Sequence, residues 1–328
     1  MLKIFSSLFL LFTLTPSAMI ISAGGFDVME YKNSFSFKEA HIDAQHANIS
    51  KVLQREAKNT NSVSIWITKD WQEDWYSIEE TQKNIIDKGY TPLFIFYWFA
   101  DEISVEFVKK NREAYFQTLK KFTKYIKKLN GQKIVVFNPE YNMAGVENWD
   151  GMNDIFLKSF EMIREDPQVL VGPCVGDFGN YTQNDEPKEW LLFHNSLSRA
   201  AKKSDFIAFQ EMRALTRNSK EDILNTPNRA YNLSKYLYKT YKKPTMLAYT
   251  AISSYGKDGE KIQADVYKGF IKYLPRMRND SKLMLFGTFH YFDYPGHVGY
   301  FKEAEEFFGI LKKDGTKKEA YKHYIKLK

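Results

Sequence analysis

At 328 residues and a formal net charge of +7, the chain can hold two domains or one large barrel, and it is long enough to bury a substantial core. Its one cysteine, Cys174, excludes an intramolecular disulfide framework. Its lysines are dispersed along helical stretches such as KKFTKYIKKLNGQK, with no aromatic-plus-basic platform of the kind that binds nucleic acid.

The N-terminus reads as an export signal. Lys3 supplies the positive charge, Ile4 to Leu14 is an almost continuous apolar run, and small residues follow at Ser17, Ala18, Ser22, Ala23 and Gly24. A cut after Ala18 would place Pro16 unfavourably, so the expected leader is residues 1–23 and the mature domain 24–328. The apolar run is too short for a comfortable span, so no stable membrane insertion is expected after cleavage. Export without disulfides suits a bacterial periplasm or the extracellular space.

Beyond the leader, apolar or β-branched runs appear at SVSIWIT (62–68), TPLFIFYWF (91–99), QKIVVFNPE (132–140), QVLVGPCVGDF (168–178), SDFIAFQE (204–211), KPTMLAYTAIS (243–253) and SKLMLFGTFHYF (281–292). They are continuous rather than alternating, the pattern of strands buried on both faces. Amphipathic stretches lie between them. SIEETQKNIIDKG opens on a serine cap and stops at Gly89, and NREAYFQTLKKFTKYIKKLNG puts Tyr115, Leu119, Phe122 and Ile126 on one stripe. Strand and helix in regular alternation mean a parallel sheet with crossover helices. With GFDVMEY (25–31) as an eighth strand, the expected architecture is α/β, a single (β/α)8 barrel. An open doubly wound sheet is the rival, but no glycine-rich phosphate loop follows the first strand.

In such a barrel the active site forms at the carboxyl ends of the strands, so the residues on which each run ends are the candidates. The runs end on Trp66; on Tyr97, Trp98 and Asp101; on Asn138 and Glu140; on Asp177; on Gln210 and Glu211; on Tyr249 and Thr250; and on His290 and Tyr291. Two carboxylates and flat aromatic faces are what glycosidic cleavage requires. Each has a plainer reading too: Glu140 as the start of a turn after Pro139, Asp177 as a turn residue, His290 as a hydrogen-bonded core histidine, Asp101 as a helix cap, and Trp66 and Trp98 as core. Other chemistries lack their marks. There is no HExxH or close histidine pair for zinc and no G-x-S-x-G elbow, and Cys174 sits in an apolar run as a small hydrophobe.

These residues carry a resemblance. FNPEYN resembles the acid/base strand of the (β/α)8 glycoside hydrolases that place a catalytic Glu at a strand end after Asn, with Asn138 and Glu140 at the matching positions. FFGILKKDGTKKEAYKHY (307–324) is similar to a closing stretch found after the last strand in many barrel glycosidases. The order NPE, GPCVGDF, FIAFQE resembles an uncharacterised set of glycosidase-like barrels. Two departures stand out: Pro139 separates the Asn from the Glu, and KPTMLAYTAIS offers Tyr249 and Thr250 where the large retaining group keeps a Glu nucleophile.

With the export signal, the resemblance implies a glycoside hydrolase acting on a polysaccharide or oligosaccharide outside the cytoplasm. In it Glu140 is the general acid, Glu211 or Asp177 the second carboxylate, Asn138 and His290 bond sugar hydroxyls, and Trp98, Trp66 and Tyr249 contact sugar rings. No metal or organic cofactor is needed for this mechanism. A non-catalytic glycan-binding barrel, or a lyase or transferase on the same scaffold, is the alternative.

Overall fold

The computed structural model describes residues 19–25, 49–178 and 190–328. Eight strands close in chain order into one barrel: β1 (Ile20–Ala23), β2 (Ser62–Ile67), β3 (Thr91–Phe96), β4 (Lys133–Phe137), β5 (Val169–Asp177), β6 (Ile207–Arg213), β7 (Thr245–Ile252) and β8 (Leu285–Thr288). Every neighbouring pair is parallel. The helices that return the chain are α1 (Ile49–Glu56), α2 (Val105–Ile126), α3 (Gly151–Ile163), α4 (His194–Lys203), α5 (Lys220–Tyr241) and α6 (Gly259–Ser281), with a terminal turn, α7 (Tyr321–Tyr324). Among the described residues no helix is long and apolar enough to cross a membrane.

The continuous apolar runs have the expected cause: each strand is buried on both faces. Leu93, Ile95, Ile134, Val136, Cys174, Ala208, Met246 and Leu285 fill the barrel. Phe94, Phe96, Val135, Phe137, Val171, Phe209, Leu247 and Phe286 meet the helices outside it. The stripe read from α2 is buried as its period requires, with Tyr115, Leu119, Phe122 and Ile126 all excluded from solvent. Ser104 starts that helix by accepting the Phe107 N–H at 3.1 Å, and Ser219 and Asp222 form a capping box at the start of α5. The stretch 78–88 is helical but irregular, passing through α, π and 3-10 turns from Ser77 to Gly89, whose φ of +85° ends it.

The first strand lies upstream of its expected place. Ile20–Ala23 pairs with Leu285–Thr288 on one side and meets β2 at Ser22↔Ser62 on the other. The expected strand GFDVMEY, apart from Gly25, lies outside the described residues. β1 therefore occupies the end of the segment read as a leader, and a cut after Ala23 would remove the strand that joins β8 to β2.

A barrel without one strand has two open edges and an uncovered interior. A chain beginning at Gly24 is expected to lose cooperative thermal unfolding and to recover poorly as soluble protein, whereas one beginning at Met19 melts as a single transition. Circular dichroism melts of the two truncations make the comparison.

Candidate active site

The strand β4 ends at Phe137, and the next three residues turn sharply. Asn138 has φ +47° and Glu140 φ +63°, both in the left-handed region, with Pro139 between them. A non-glycine residue held there costs roughly 1–2 kcal/mol, so the surrounding contacts must impose the turn. Asn138 donates from Nδ2 to the Tyr115 hydroxyl at 3.2 Å, outward toward α2. Tyr141 reaches Ser196 on α4 at 3.1 Å. Asn142 clamps β5 with its whole amide, donating to the Gly176 carbonyl at 2.9 Å and accepting the Gly176 N–H at 2.6 Å. With its neighbours tied outward, Glu140 is left facing a cavity of about 610 Å³ at the barrel mouth.

Trp66, Tyr97, Asp101, Gln210, Phe289 and Glu305 line that cavity with Glu140. The Tyr249 hydroxyl donates to Glu140 Oε1 at 2.6 Å. Tyr249 faces the barrel because of an irregularity in β7: pairing with β6 runs Phe209↔Leu247 and then Gln210↔Tyr249, leaving Ala248 as the extra residue. Ala248 and Tyr249 thus both belong to the interior cluster. A bulge of this kind re-aims the side chain that follows it. The bulged backbone presses on β8 at Gly287, where a Cβ would lie 1.9 Å from the Ala248 carbonyl oxygen, so only glycine fits.

Burial, together with the nearby charges of Asp101 and Glu305, pushes the Glu140 carboxyl up to about 7, against the lowering effect of the Tyr249 hydrogen bond. Tyr249 itself is pushed far up, by burial first and by the Glu140 charge second, so its phenol stays protonated and remains a donor. The Tyr97 hydroxyl donates to Asp101 Oδ1 at 2.7 Å, and burial first, then the charges of Glu140, Asp101 and Glu305, push its phenol up.

Glu305 comes from the 3-10 segment Glu303–Phe307 after β8. Its Oε1 accepts the Phe301 N–H at 2.8 Å, and its Oε2 lies 3.5 Å from His297 Nε2. Gly299 sits so close that a side chain there would strike the carboxylate. Burial raises the Glu305 carboxyl, and burial likewise keeps His297 low and so neutral.

The remaining sequence candidates divide cleanly. Trp66 lines the cavity, edged by Tyr97, Tyr249 and Phe289 at ring distances of 5.4, 5.2 and 5.3 Å. Trp98 does not: it is buried beneath α2, donating from Nε1 to Thr118 Oγ1 at 2.9 Å and packing on Phe99 and Tyr115. His290 is buried behind Phe289, stacked on it at 4.2 Å, and burial with the neighbouring His297 holds its pKa well below the ordinary value. Asn138 binds the helix layer instead of the cavity.

Glu211 is turned away as well. It and Asp177 stand opposite each other in register, on the faces of β6 and β5 that meet the helices. Both are completely buried with Arg213 and Arg229. Arg229, from α5, binds Asp177 through two hydrogen bonds of 2.6 and 3.2 Å, and Arg213 lies 3.0 Å from Glu211. Asp177 borders the cavity floor, but its oxygens are committed to arginine. Burial and the adjacent Asp177 raise the Glu211 carboxyl. The pair with its two cations is a structural unit between barrel and helix layer.

Glu305 is therefore the group absent from the strand-end candidates, while Asp101 and Gln210 stood among them without an assigned role in the site. Asp101, expected as a helix cap, faces the cavity because Ser104 is the cap. Glu305 lies within the acid-rich KEAEEFF, where one glutamate carries no mark that separates it from its neighbours.

Removing a cation from the buried tetrad strands a carboxylate. Arg229→Leu is expected to cost about 3–5 kcal/mol, read as a lower urea midpoint. Adding Asp177→Asn to Arg229→Leu recovers part of that loss.

No protein-family model and no curated protein matches the sequence. Solved structures do match the fold. Over 94 % of its length the chain superposes on a β-D-glucuronidase from Dictyoglomus thermophilum, with a TM-score of 0.62 and 13 % identity, and it covers 49 % of that chain. It covers 78 % of a GH5_18 protein from Bifidobacterium longum subsp. longum, over 94 % of its own length, at a TM-score of 0.61 and 11 % identity. It covers 96 % of a psychrophilic glycoside hydrolase family 10 endo-β-1,4-xylanase, again over 94 % of its own length, at 0.54 and 12 %. The chain thus spans about half the length of the glucuronidase and nearly all of the xylanase. At these identities the likeness is one of architecture: the chain has the closed (β/α)8 barrel fold in which these glycoside hydrolases are built.

Proposed function

We propose that the protein is an exported glycoside hydrolase that cleaves a polysaccharide or oligosaccharide, with Glu140 as its general acid. The observation that carries this reading is the placement of Glu140: a strained turn at the end of β4 presents it to an aromatic-walled cavity, held by Tyr249 at 2.6 Å and with its pKa raised to about 7. A carboxyl poised there is substantially protonated near neutrality and can deliver a proton to a leaving glycosidic oxygen. Trp66 and Phe289 supply flat faces for a sugar ring.

The second carboxylate in this reading is Glu305, in place of Asp177, which is held by buried arginine, and of Glu211, which lies on the helix-facing side of β6. Glu305 is oriented by the Phe301 amide and faces the same cavity. It would act on the anomeric carbon directly or through water. The reading needs no metal or organic cofactor, and a lyase is less well supported. A lyase would use Tyr or His as base, whereas burial and the surrounding carboxylates push the Tyr97 and Tyr249 phenols up, and burial keeps His290 from holding a proton. Export rests on the N-terminal pattern, and a cut compatible with the closed barrel falls before Met19.

The activity test is release of reducing ends from a panel of polysaccharides. Glu140→Gln is expected to lower kcat at least 10³-fold, and full activity in that variant would refute the assignment. Because the acid must be protonated, kcat/KM should fall as pH rises through about 7, and Tyr249→Phe should move that limb upward by removing the donor that favours the carboxylate. The same group has a stability signature. Its folded pKa is above its unfolded value of about 4.5, so its contribution is intact below 4.5 and is lost as pH rises through 7. Glu140→Gln should therefore melt higher than wild type at pH 8, by at most about 3 kcal/mol of stability, with the difference closing near pH 4.

A further inference from the structure

The cavity at the barrel mouth is acidic in a basic protein. The chain carries +7 overall, yet among the described residues no lysine or arginine lines the cavity. Asp177 is neutralised from behind by arginine. The other three carboxylates, Asp101, Glu140 and Glu305, have no lysine or arginine ion partner among the described residues; Glu305 meets the Phe301 N–H and His297, and Asp101 the Tyr97 hydroxyl. Glycosidic cleavage uses two carboxylates. Asp101, at the exposed rim, is left over.

A second, independent feature points the same way. Gln210 lies on the cavity wall, only 2 % exposed, and its Oε1 has no hydrogen-bond partner. A buried acceptor left unmatched costs about 1–3 kcal/mol, so the site is built to receive a donor there. Tyr97 and Tyr249 have already committed their hydroxyl protons to Asp101 and Glu140, which leaves acceptor capacity facing inward. The aromatic faces of Trp66 and Phe289 on the same wall suit a cation as well as a sugar ring. Among the described residues the walls thus offer carboxylates and acceptors, and no lysine or arginine.

We infer that the cavity is selective for a sugar bearing a free amino group, held as its ammonium between Asp101, Glu305 and the Gln210 carbonyl oxygen, and that it rejects sugars bearing a carboxylate. This rests on the glycoside hydrolase reading for the identity of the ligand as a sugar, while its charge preference follows from the walls alone. N-acetylation, which removes the charge and adds bulk, weakens binding. A uronic acid would bring a carboxylate against uncompensated carboxylates and is excluded.

Binding, read on the full-length exported chain carrying Glu140→Gln, separates this inference from the hydrolytic one. Glucosamine and galactosamine, their N-acetylated forms and the corresponding uronic acids are titrated at pH 6 by ligand-observed NMR. The expected result is saturable binding of an amino sugar at least tenfold tighter than its N-acetylated form, with no binding of the uronic acid. Asp101→Asn, a rim change that leaves the barrel intact, should reduce the preference to threefold or less, as should 0.5 M NaCl to a smaller extent. Equal or tighter binding of the N-acetylated sugar or of the uronic acid overturns the inference, as does saturation by none of the six. If wild type cleaves neutral glycans while the variant shows no amino preference, the hydrolase stands and this inference falls. If the preference holds but wild type cleaves no amino-sugar or neutral oligomer, the hydrolytic reading falls and the selectivity stands.

Discussion

In a closed parallel barrel each strand points successive side chains alternately into the barrel and out to the helices, and that two-residue period decides which strand residues reach the mouth. On β5 and β6 it sends Asp177 and Glu211 outward, in register with each other, into the layer where α5 supplies Arg229. On β6 the same alternation turns Gln210 and Met212 inward. β7 breaks the period once, at Ala248, and the break puts Tyr249 inside. Without it, the phenol would have faced the helices and Glu140 would have had no donor at 2.6 Å. Gly287 on β8 makes room for the break, so one missing Cβ supports a contact between β7 and the residue that follows β4.

The molecule treats its buried acids in two ways. Asp177 and Glu211 are paired with two arginines, an arrangement that holds strands to a helix. Glu140 and Glu305 are buried without such cations and are pushed upward by burial, as is Glu211, but they face the cavity. What separates the sets is position: one lies in the wall between barrel and helices beside arginine, the other at the cavity. Backbone strain follows that division. Asn138 and Glu140 hold left-handed φ values at the end of β4, and Asn142, Tyr141 and Tyr115 provide the hydrogen bonds that enforce them. Strain of this sort persists only where neighbours over-determine it.

The layout of strands and helices was legible because periodicity is local. Seven of the eight strands fall where the apolar runs place them, and the buried stripe of α2 follows from its spacing alone. The first strand was hidden because MIISA is as good an end to an export signal as it is a buried strand; hydrophobicity cannot tell the two apart. Glu140 was legible because a carboxylate that ends a buried strand is conspicuous. Trp98 and Glu211 were misread for a shared reason. Both end an apolar run, but position along a strand does not say which face a side chain takes once the strand stops or the period shifts. Glu305 was not legible at all, since its role comes from a loop that folds back over the mouth.

By itself the sequence determined the barrel and the fact that polar and aromatic groups gather at the carboxyl ends of its strands, because continuous apolar runs alternating with amphipathic helices have few other solutions. Tertiary structure alone decided which of those groups share a cavity and which are neutralised in the wall. That choice depends on strand parity, on a single bulge and on the path of the segment after β8. These bring together residues far apart in sequence, such as Glu140 with Tyr249, 109 positions on, and no local pattern records such contacts.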